Sequence, residues 1–314
     1  MISYFTARGE SNRLDDSSRK SLRGSFVQLS DGVTHFELKG PAGGQLVVLV
    51  PGLTVPLFYW DSLVRELNGY GFRTLAYSAY GRGYSDRVEA SYDYALFVRQ
   101  LRDLIHTLEL DGPRHVVGAS MGALIAMAWV QEQPSLATSL TLVGPAGLEH
   151  QLPPLVRLLR FNTFAHYFGR FLGQRLLRAH LANEVESSER AEVLSEMVLD
   201  AYTYEGSIYA LFSTLQSFNL TRQHDLYRKT RLSSVPVHLL WGSGDRVTPI
   251  DKFDEARALL QPAKSFSFAD CGHMPPFELP EEVGKHMVSF FHDFATDSNI
   301  MKVVDSAAAL PEVQ

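Results

Sequence analysis

The chain has 314 residues, enough to bury a full hydrophobic core, with 45% hydrophobic and 20% charged residues and a net charge of −6. The charge is spread without a basic block, which argues against a nucleic-acid partner. A lone cysteine, Cys271, excludes an internal disulfide and a cysteine metal cluster. No apolar run reaches the roughly 18 to 20 residues that span a bilayer, and the polar N-terminus lacks a signal-peptide pattern. We therefore expect a soluble cytoplasmic protein.

The polarity pattern changes twice within residues 1–50. Residues 1–24 are polar and of mixed charge, and they predict a loosely ordered arm. Residues 25–29 and 34–38 alternate in polarity around Asp31-Gly32, which is typical of a β-hairpin. Residues 46–50 are apolar throughout, as in a strand that is covered on both faces of a parallel sheet.

Strands and helices then alternate. Similar strands are predicted at 73–77, 115–117, 139–143, 237–241 and 265–268, and helical periodicity occurs at 60–70, 94–110, 120–132 and 251–260. This alternation predicts an α/β fold with a mostly parallel sheet, helices on both faces and the hairpin at one edge. The predicted core is 25–147 with 231–294, and the tail 295–314 is expected to be disordered.

The alternation stops at residues 148–230, which are helical in pattern and lie between two sheet strands. A helical insertion at this point would cover the carboxyl ends of the strands, where open α/β sheets bind ligands. Its aromatic residues could line a substrate pocket or pack the insertion onto the sheet. The candidates for the pocket are Phe161, Phe164, Tyr167 and Phe168.

Ser120 lies in the pentapeptide Gly118-Ala119-Ser120-Met121-Gly122, between the strand at 115–117 and an apolar helical run. A serine on a tight strand-to-helix turn is a nucleophile elbow, in which the flanking glycines permit the close approach of strand and helix. The sequence therefore predicts that Ser120 is a nucleophile.

A serine nucleophile needs a base and a carboxylate that orients the base. Asp245 follows the strand at 237–241, and His273 follows the strand at 265–268, so all three residues come after sheet strands in the order Ser, Asp, His. Asp270, Glu149 and Asp225 are weaker rivals for the acid. Asp270 is only three residues from the base and would have to fold back onto it.

Acyl transfer also needs two donors for the developing oxyanion. The backbone N–H of Met121 lies at the positive end of the predicted helix. The second donor is assigned to the N–H of Leu53, in the loop Pro51-Gly52-Leu53-Thr54 after the strand at 46–50.

Over residues 25–294 the chain resembles the α/β-hydrolase superfamily of serine hydrolases. The elbow, the loop 242–245, the loop 270–273 and the glycine-rich segment 80–86 match its motifs in order. The resemblance implies the α/β-hydrolase fold with a helical cap at 148–230. Two positions depart from it. Pro51 replaces the usual histidine of the oxyanion loop, and Ser78 replaces an aspartate before the glycine-rich segment.

The sequence predicts a serine esterase that cleaves small-molecule carboxylic esters through an acyl-enzyme, with no cofactor and no metal. A lactonase, a cofactor-free perhydrolase and a C–C hydrolase of meta-cleavage products use the same triad. Such C–C hydrolases typically carry Asn and Trp where this chain has Ala119 and Met274. A ligand receptor on a hydrolase scaffold is a further alternative. The sequence does not decide whether the protein forms a homodimer.

Overall fold

A computed structural model describes residues 2–151, 154–159 and 161–294. The described residues form one eight-stranded sheet with the strand order β1-β2-β4-β3-β5-β6-β7-β8. The strands are β1 (Ser25–Gln28), β2 (Val33–Lys39), β3 (Leu46–Val50), β4 (Arg73–Tyr77), β5 (Arg114–Ala119), β6 (Ala137–Val143), β7 (Val237–Gly242) and β8 (Lys264–Phe268).

The sheet is parallel from β4 to β8, and the hairpin β1–β2 adds two antiparallel strands at one edge. The predicted α/β fold and the position of the hairpin are therefore confirmed. The central strand β3 is almost completely buried, which explains its unbroken apolar sequence.

Twelve α-helices lie within the described residues. They are α1 (Asp16–Arg19), α2 (Asp61–Gly69), α3 (Tyr94–Thr107), α4 (Met121–Glu132), α5 (Pro154–Leu158), α6 (Asn162–Leu181), α7 (Ser188–Ala201), α8 (Ser207–Ser217), α9 (His224–Leu232), α10 (Phe253–Leu260), α11 (Pro275–Glu278) and α12 (Pro280–Asp293). One group of packed helices joins α3, α4, α9 and α10, and another joins α2, α11 and α12.

The helical insertion, residues 148–230, contains α5 to α8 and most of α9. The predicted boundary after residue 230 falls inside α9. This helix packs against α4 and α10, and the Tyr227 hydroxyl donates a 2.6 Å hydrogen bond to the carbonyl of Ala146. By its contacts, α9 therefore belongs with the helices that flank the sheet.

The N-terminal arm differs from the expectation of loose order. Ile2, Phe5 and Ala7 are buried, and the ring of Phe5 packs edge-on against Tyr209 of α8. The carboxylate of Glu10 accepts hydrogen bonds from the backbone N–H groups of Gly206 and Ile208. The arm is thus bound to the helical insertion through a few apolar anchors and one buried carboxylate. The predicted disordered tail, 295–314, lies outside the described residues.

Candidate active site

Ser120 lies at the turn between β5 and α4 with φ 53° and ψ −119°, a strained conformation for a residue with a side chain. Its backbone N–H donates to the carbonyl of Val143 on β6 over 2.9 Å. A Cβ atom added at Gly118 would lie 2.6 Å from the carbonyl oxygen of Gly122, and one at Gly122 would lie 2.3 Å from that of Val50. Only glycine fits at these two positions, so the sequence of the elbow follows from its geometry.

Asp245 and His273 meet beyond the carboxyl ends of β7 and β8. The Nδ1 atom of His273 lies 2.7 Å from Oδ2 of Asp245, and both side chains are buried. Because a carboxylate only accepts hydrogen bonds, Nδ1 carries the proton and Nε2 is the ring nitrogen left to act as a base. The two loops approach closely at Gly242, where a Cβ atom would lie 2.0 Å from the carbonyl oxygen of Gly272.

Thr248 supports this pair, and the sequence analysis did not identify it. Its hydroxyl donates to Oδ2 of Asp245 over 2.7 Å, while the backbone N–H groups of Val247 and Thr248 donate to Oδ1 over 2.8 Å each. The aspartate is thereby fixed in orientation. The two backbone hydrogen bonds form an Asx turn, which an aspartate in a glycine-rich loop commonly makes, whereas no local pattern indicates the hydroxyl contact of Thr248.

The ionisation of His273 is set by two opposing effects. Burial disfavours the charged imidazolium, but the negative charge and hydrogen bond of Asp245, together with Glu184 and Glu278, raise the pKa of His273 above its ordinary value. The arrangement therefore stabilises the protonated form of the His273 imidazole.

A cavity of about 400 Å³ opens beside Ser120 and His273. Leu53, Met121 and Gly52 line it, and a Cβ atom added at Gly52 would lie 3.5 Å from Cβ of Ser120. The loop predicted to carry an oxyanion donor therefore passes directly beside the serine. From the insertion, the cavity is lined by Gln151, Val156, His180, Asn183, Glu184, Leu215 and Leu220.

Arg82 holds the loop of Leu53 in place. This fully buried guanidinium donates from Nε to the carbonyl of Leu53 over 2.7 Å and from Nη2 to the hydroxyl of Thr214 on α8 over 2.9 Å. Burial lowers the pKa of Arg82. Arg82 belongs to the glycine-rich segment noted in the sequence, but its role depends on contacts that the sequence does not reveal.

The four aromatic candidates of the insertion do not line the cavity. Phe164 and Phe168 stack on each other at 4.3 Å between ring centroids and pack against the core, while Phe161 and Tyr167 are more than half exposed. The pocket-lining interpretation of these residues is thus not supported for this cavity, and the packing alternative describes Phe164 and Phe168. The sequence alone could not decide between these two alternatives.

Two of the three rival acids lie away from the cavity. Asp270 is exposed with φ 50°, and Asp225 is exposed and pairs with Arg228 on α9. Glu149 lines the cavity and is half-buried. Among the described residues, Asp245 is the one of these four carboxylates that hydrogen-bonds to His273.

The described residues contain no cluster of three or more His, Cys, Asp or Glu side chains that could hold a metal ion. Within 2–151, 154–159 and 161–294, no helix is long and apolar enough to cross a bilayer.

The chain is similar in sequence and in fold to known hydrolases. The sequence profile of the Alpha/beta hydrolase family matches residues 47–285. The uncharacterized hydrolase YugF of Bacillus subtilis is 24% identical over 264 residues, covering 83% of this chain and 95% of that protein.

Two further relatives carry functional names. The 2-hydroxy-6-oxo-6-(2'-aminophenyl)hexa-2,4-dienoic acid hydrolase of Metapseudomonas resinovorans is 24% identical over 238 residues, covering 74% of this chain and 77% of that protein. A thermophilic esterase from Thermogutta terrifontis superimposes with a TM-score of 0.74 at 22% identity, covering 87% of this chain and 100% of that chain. At these identities the structural likeness establishes the fold.

Proposed function

Because the chain belongs to the alpha/beta hydrolase family, we propose that it hydrolyses carboxylic esters through an acyl-enzyme, with Ser120, His273 and Asp245 as the catalytic triad. The observation that carries this proposal is the 2.7 Å contact between His273 and Asp245 at a cavity that Ser120 also lines. The likeness to the esterase from Thermogutta terrifontis is consistent with it.

In the proposed first half-reaction, the Ser120 hydroxyl oxygen attacks the ester carbonyl and its proton passes to Nε2 of His273. Asp245 keeps the imidazole in the required tautomer and stabilises its charged form. The protonated His273 then gives its proton to the leaving alkoxide as the carbon–oxygen bond breaks, which leaves an acyl group on Ser120.

In the second half-reaction, His273 accepts a proton from water, and the resulting hydroxide attacks the acyl-enzyme. Collapse of the second tetrahedral intermediate releases the carboxylic acid and returns the proton to Ser120. We assign the backbone N–H groups of Leu53 and Met121 to the oxyanion in both steps. The loss of one such donor costs about 100-fold to 1,000-fold in turnover.

A C–C hydrolase of meta-cleavage products is the second candidate. It is favoured by the similarity to the hydrolase from Metapseudomonas resinovorans. The side chains of Ala119 and Met274, which line the cavity beside the serine and the histidine, are apolar and offer no hydrogen-bond donor to a dienoate substrate. This favours ester hydrolysis as the first proposal.

The test is hydrolysis of p-nitrophenyl esters from acetate to dodecanoate by the wild-type protein, Ser120→Ala and Ser289→Ala. Ser289 is an exposed serine of α12 and serves as the matched control. We expect turnover in the wild type and the control and nearly none in Ser120→Ala. The chain length at which turnover falls would report the size of the 400 Å³ cavity.

Substantial turnover in Ser120→Ala would refute the assignment of the nucleophile. If a folded wild-type protein cleaved no ester but cleaved a vinylogous diketone, the C–C hydrolase would replace the esterase.

A further inference from the structure

Glu184 is a second acidic side chain of the cavity and has no part in the triad. It lies between α6 and α7, in the helical insertion, and is only 3% exposed. It lines the same cavity as Ser120 and His273. A carboxylate is rarely buried to this degree without hydrogen-bond partners for both oxygens. An oxygen of Glu184 that lacks a partner within the protein would therefore indicate which groups a bound molecule supplies.

The two oxygens of the Glu184 carboxylate differ in their hydrogen-bond partners. Oε1 lies 3.0 Å from Nε2 of His180 and accepts a 3.4 Å hydrogen bond from the Thr54 hydroxyl. Oε2 is buried and has no hydrogen-bond partner among the described residues. A buried acceptor that lacks a donor is destabilising, and a donor on a bound molecule would remove that cost.

The backbone holds this acceptor at a fixed place relative to the base. The carbonyl of Glu184 accepts a 2.8 Å hydrogen bond from the N–H of His273. The Glu278 carboxylate binds the backbone on both sides of this contact, because it accepts from the N–H groups of Gly272 and Glu186 over 2.9 Å each. Glu184 is therefore tied to the loop of the catalytic histidine and not to a freely moving part of the insertion.

The other charged groups of the cavity are already satisfied. Arg246 forms a 3.3 Å ion pair with Glu186, and His180 contacts Glu184 itself. Glu149 is half-buried, so water can reach it. Oε2 of Glu184 is thus the charged acceptor of this wall that still requires a donor.

We propose that Glu184 is a specificity-determining residue that selects esters carrying an O–H or N–H donor, which hydrogen-bonds to its Oε2 atom. The proposal rests on the ester hydrolysis proposed above and names its substrate class, hydroxylated or ammonium-bearing esters. Sites that hydrogen-bond a substrate hydroxyl or amine discriminate strongly against the analogue that lacks it, because their buried polar groups are then left unpaired.

The experiment compares matched ester pairs by kcat/KM in a pH-stat. Ethyl butanoate against 2-hydroxyethyl butanoate places the hydroxyl on the alcohol side, and methyl butanoate against methyl 3-hydroxybutanoate places it on the acyl side. Methyl 4-aminobutanoate supplies an ammonium donor, and butanoylcholine supplies a cation without any N–H. Each enzyme is its own control, since the readout is the ratio within a pair.

In the wild type we expect at least one donor-bearing ester to exceed its partner by about tenfold to a hundredfold, as for a hydrogen bond to a charged group. In Glu184→Ala the ratio should fall to about one. Glu184→Gln keeps the size of the side chain and should also lower the ratio of kcat/KM within a pair. If Glu184→Ala does not fold, Glu184→Gln alone tests the proposal. Glu186→Gln, an exposed carboxylate of the same segment, should keep the wild-type ratio.

Equal kcat/KM within every pair in the wild type would overturn the proposal, as would a ratio that Glu184→Ala and Glu184→Gln both leave unchanged. A preference for butanoylcholine alone would also overturn it, because charge without a donor would then suffice. If no ester is cleaved, the proposed function fails, and binding of the same pairs to Ser120→Ala by calorimetry tests Glu184 separately. Equal dissociation constants within each pair would then refute its role.

Discussion

The nucleophile elbow and the segment Glu184–Glu186 line or border the same cavity, but different interactions hold them. The elbow is fixed by backbone contacts so close that Gly118 and Gly122 cannot carry a side chain. The segment is fixed by buried polar contacts with Glu278 and His273, which come from distant parts of the chain. The first region can be recognised from a local sequence pattern even though Gly122 packs against the distant Val50, whereas no local pattern marks the second.

A single methyl group added at Gly122 should distort the backbone of the elbow. Gly122→Ala would place a Cβ atom 2.3 Å from the carbonyl oxygen of Val50 and 2.5 Å from that of Pro51, so β3 or α4 must shift. We expect a loss of about 3 kcal/mol in the free energy of unfolding. Because a shift of about 1 Å displaces Ser120, the proposed nucleophile, kcat/KM should fall by about 100-fold. Denaturant unfolding and ester kinetics would measure both effects.

Gly43→Ala is the matched control for this substitution, because a Cβ atom there would meet nothing within 4 Å. It should behave as the wild type. A fully stable and active Gly122→Ala would show that the backbone contact of the elbow is not needed for its geometry.

Arg82 joins the loop beside the elbow to another part of the insertion, because it binds the carbonyl of Leu53 and the hydroxyl of Thr214 on α8. Arg82→Met fills similar space but leaves these buried acceptors without a donor. We expect a loss of about 2 to 4 kcal/mol of stability. The loosened loop should lower kcat by about 10-fold to 100-fold if Leu53 supplies an oxyanion donor.

The exposed Arg102, which lies 3.9 Å from Glu132, provides the control for Arg82→Met. Arg102→Met should change the stability by less than about 1 kcal/mol. Loss of stability in Arg82→Met without any change in kcat would separate the structural role of Arg82 from the proposed oxyanion loop.

The N-terminal arm offers a smaller test of how the insertion is held. The Glu10 carboxylate accepts from the N–H groups of Ala7, Gly206 and Ile208, the last two at the start of α8. Glu10→Gln replaces one acceptor oxygen with a donor, so we expect a loss of about 1 to 2 kcal/mol, measured by denaturant unfolding. Glu205→Gln, an exposed neighbour, should have no measurable effect. Equal stabilities of the two variants would contradict the anchoring role of Glu10.

Local sequence pattern was sufficient for the sheet and for the loops of Ser120, Asp245 and His273, because each loop follows a readable strand. Helix α12 was not predicted, although Val283, Met287 and Phe290 recur there at helical spacing. The loose order predicted for the N-terminal arm differs from the structure, because three apolar residues within its polar sequence are buried. They are Ile2, Phe5 and Ala7.

Glu184 could not be found by the same reasoning. Its contacts with Thr54 and His273 join residues 130 and 89 positions apart, and no local pattern encodes such pairs. The aromatic residues of α6 illustrate the same limit, since periodicity shows that Phe164 and Phe168 share a face but not that this face lies away from the cavity. The candidate site residues that follow the sheet strands can therefore be predicted from sequence. The residues with which the insertion lines the cavity can be identified only from the tertiary structure.

The smallest expected effect concerns the acid limb of the pH profile. Burial lowers the pKa of His273, but Asp245, Glu184 and Glu278 together raise it above the ordinary value of 6.5. Because the base must be neutral to accept the serine proton, kcat/KM should fall as the pH drops through a midpoint above 6.5. Glu278→Gln removes one of the three negative charges and should move that midpoint to lower pH, while Asp245 and Glu184 retain part of the effect.

Glu281→Gln, which removes an exposed carboxylate three residues away, should leave the midpoint of this limb in place. Glu278 also accepts hydrogen bonds from Gly272 and Glu186, so its substitution should lower the stability as well. A structural role alone would lower kcat/KM equally at every pH above the acid limb. A shift of the midpoint would instead show that Glu278 acts on the charge of His273, and an unchanged midpoint would leave Asp245 and Glu184 as the carboxylates that govern the base.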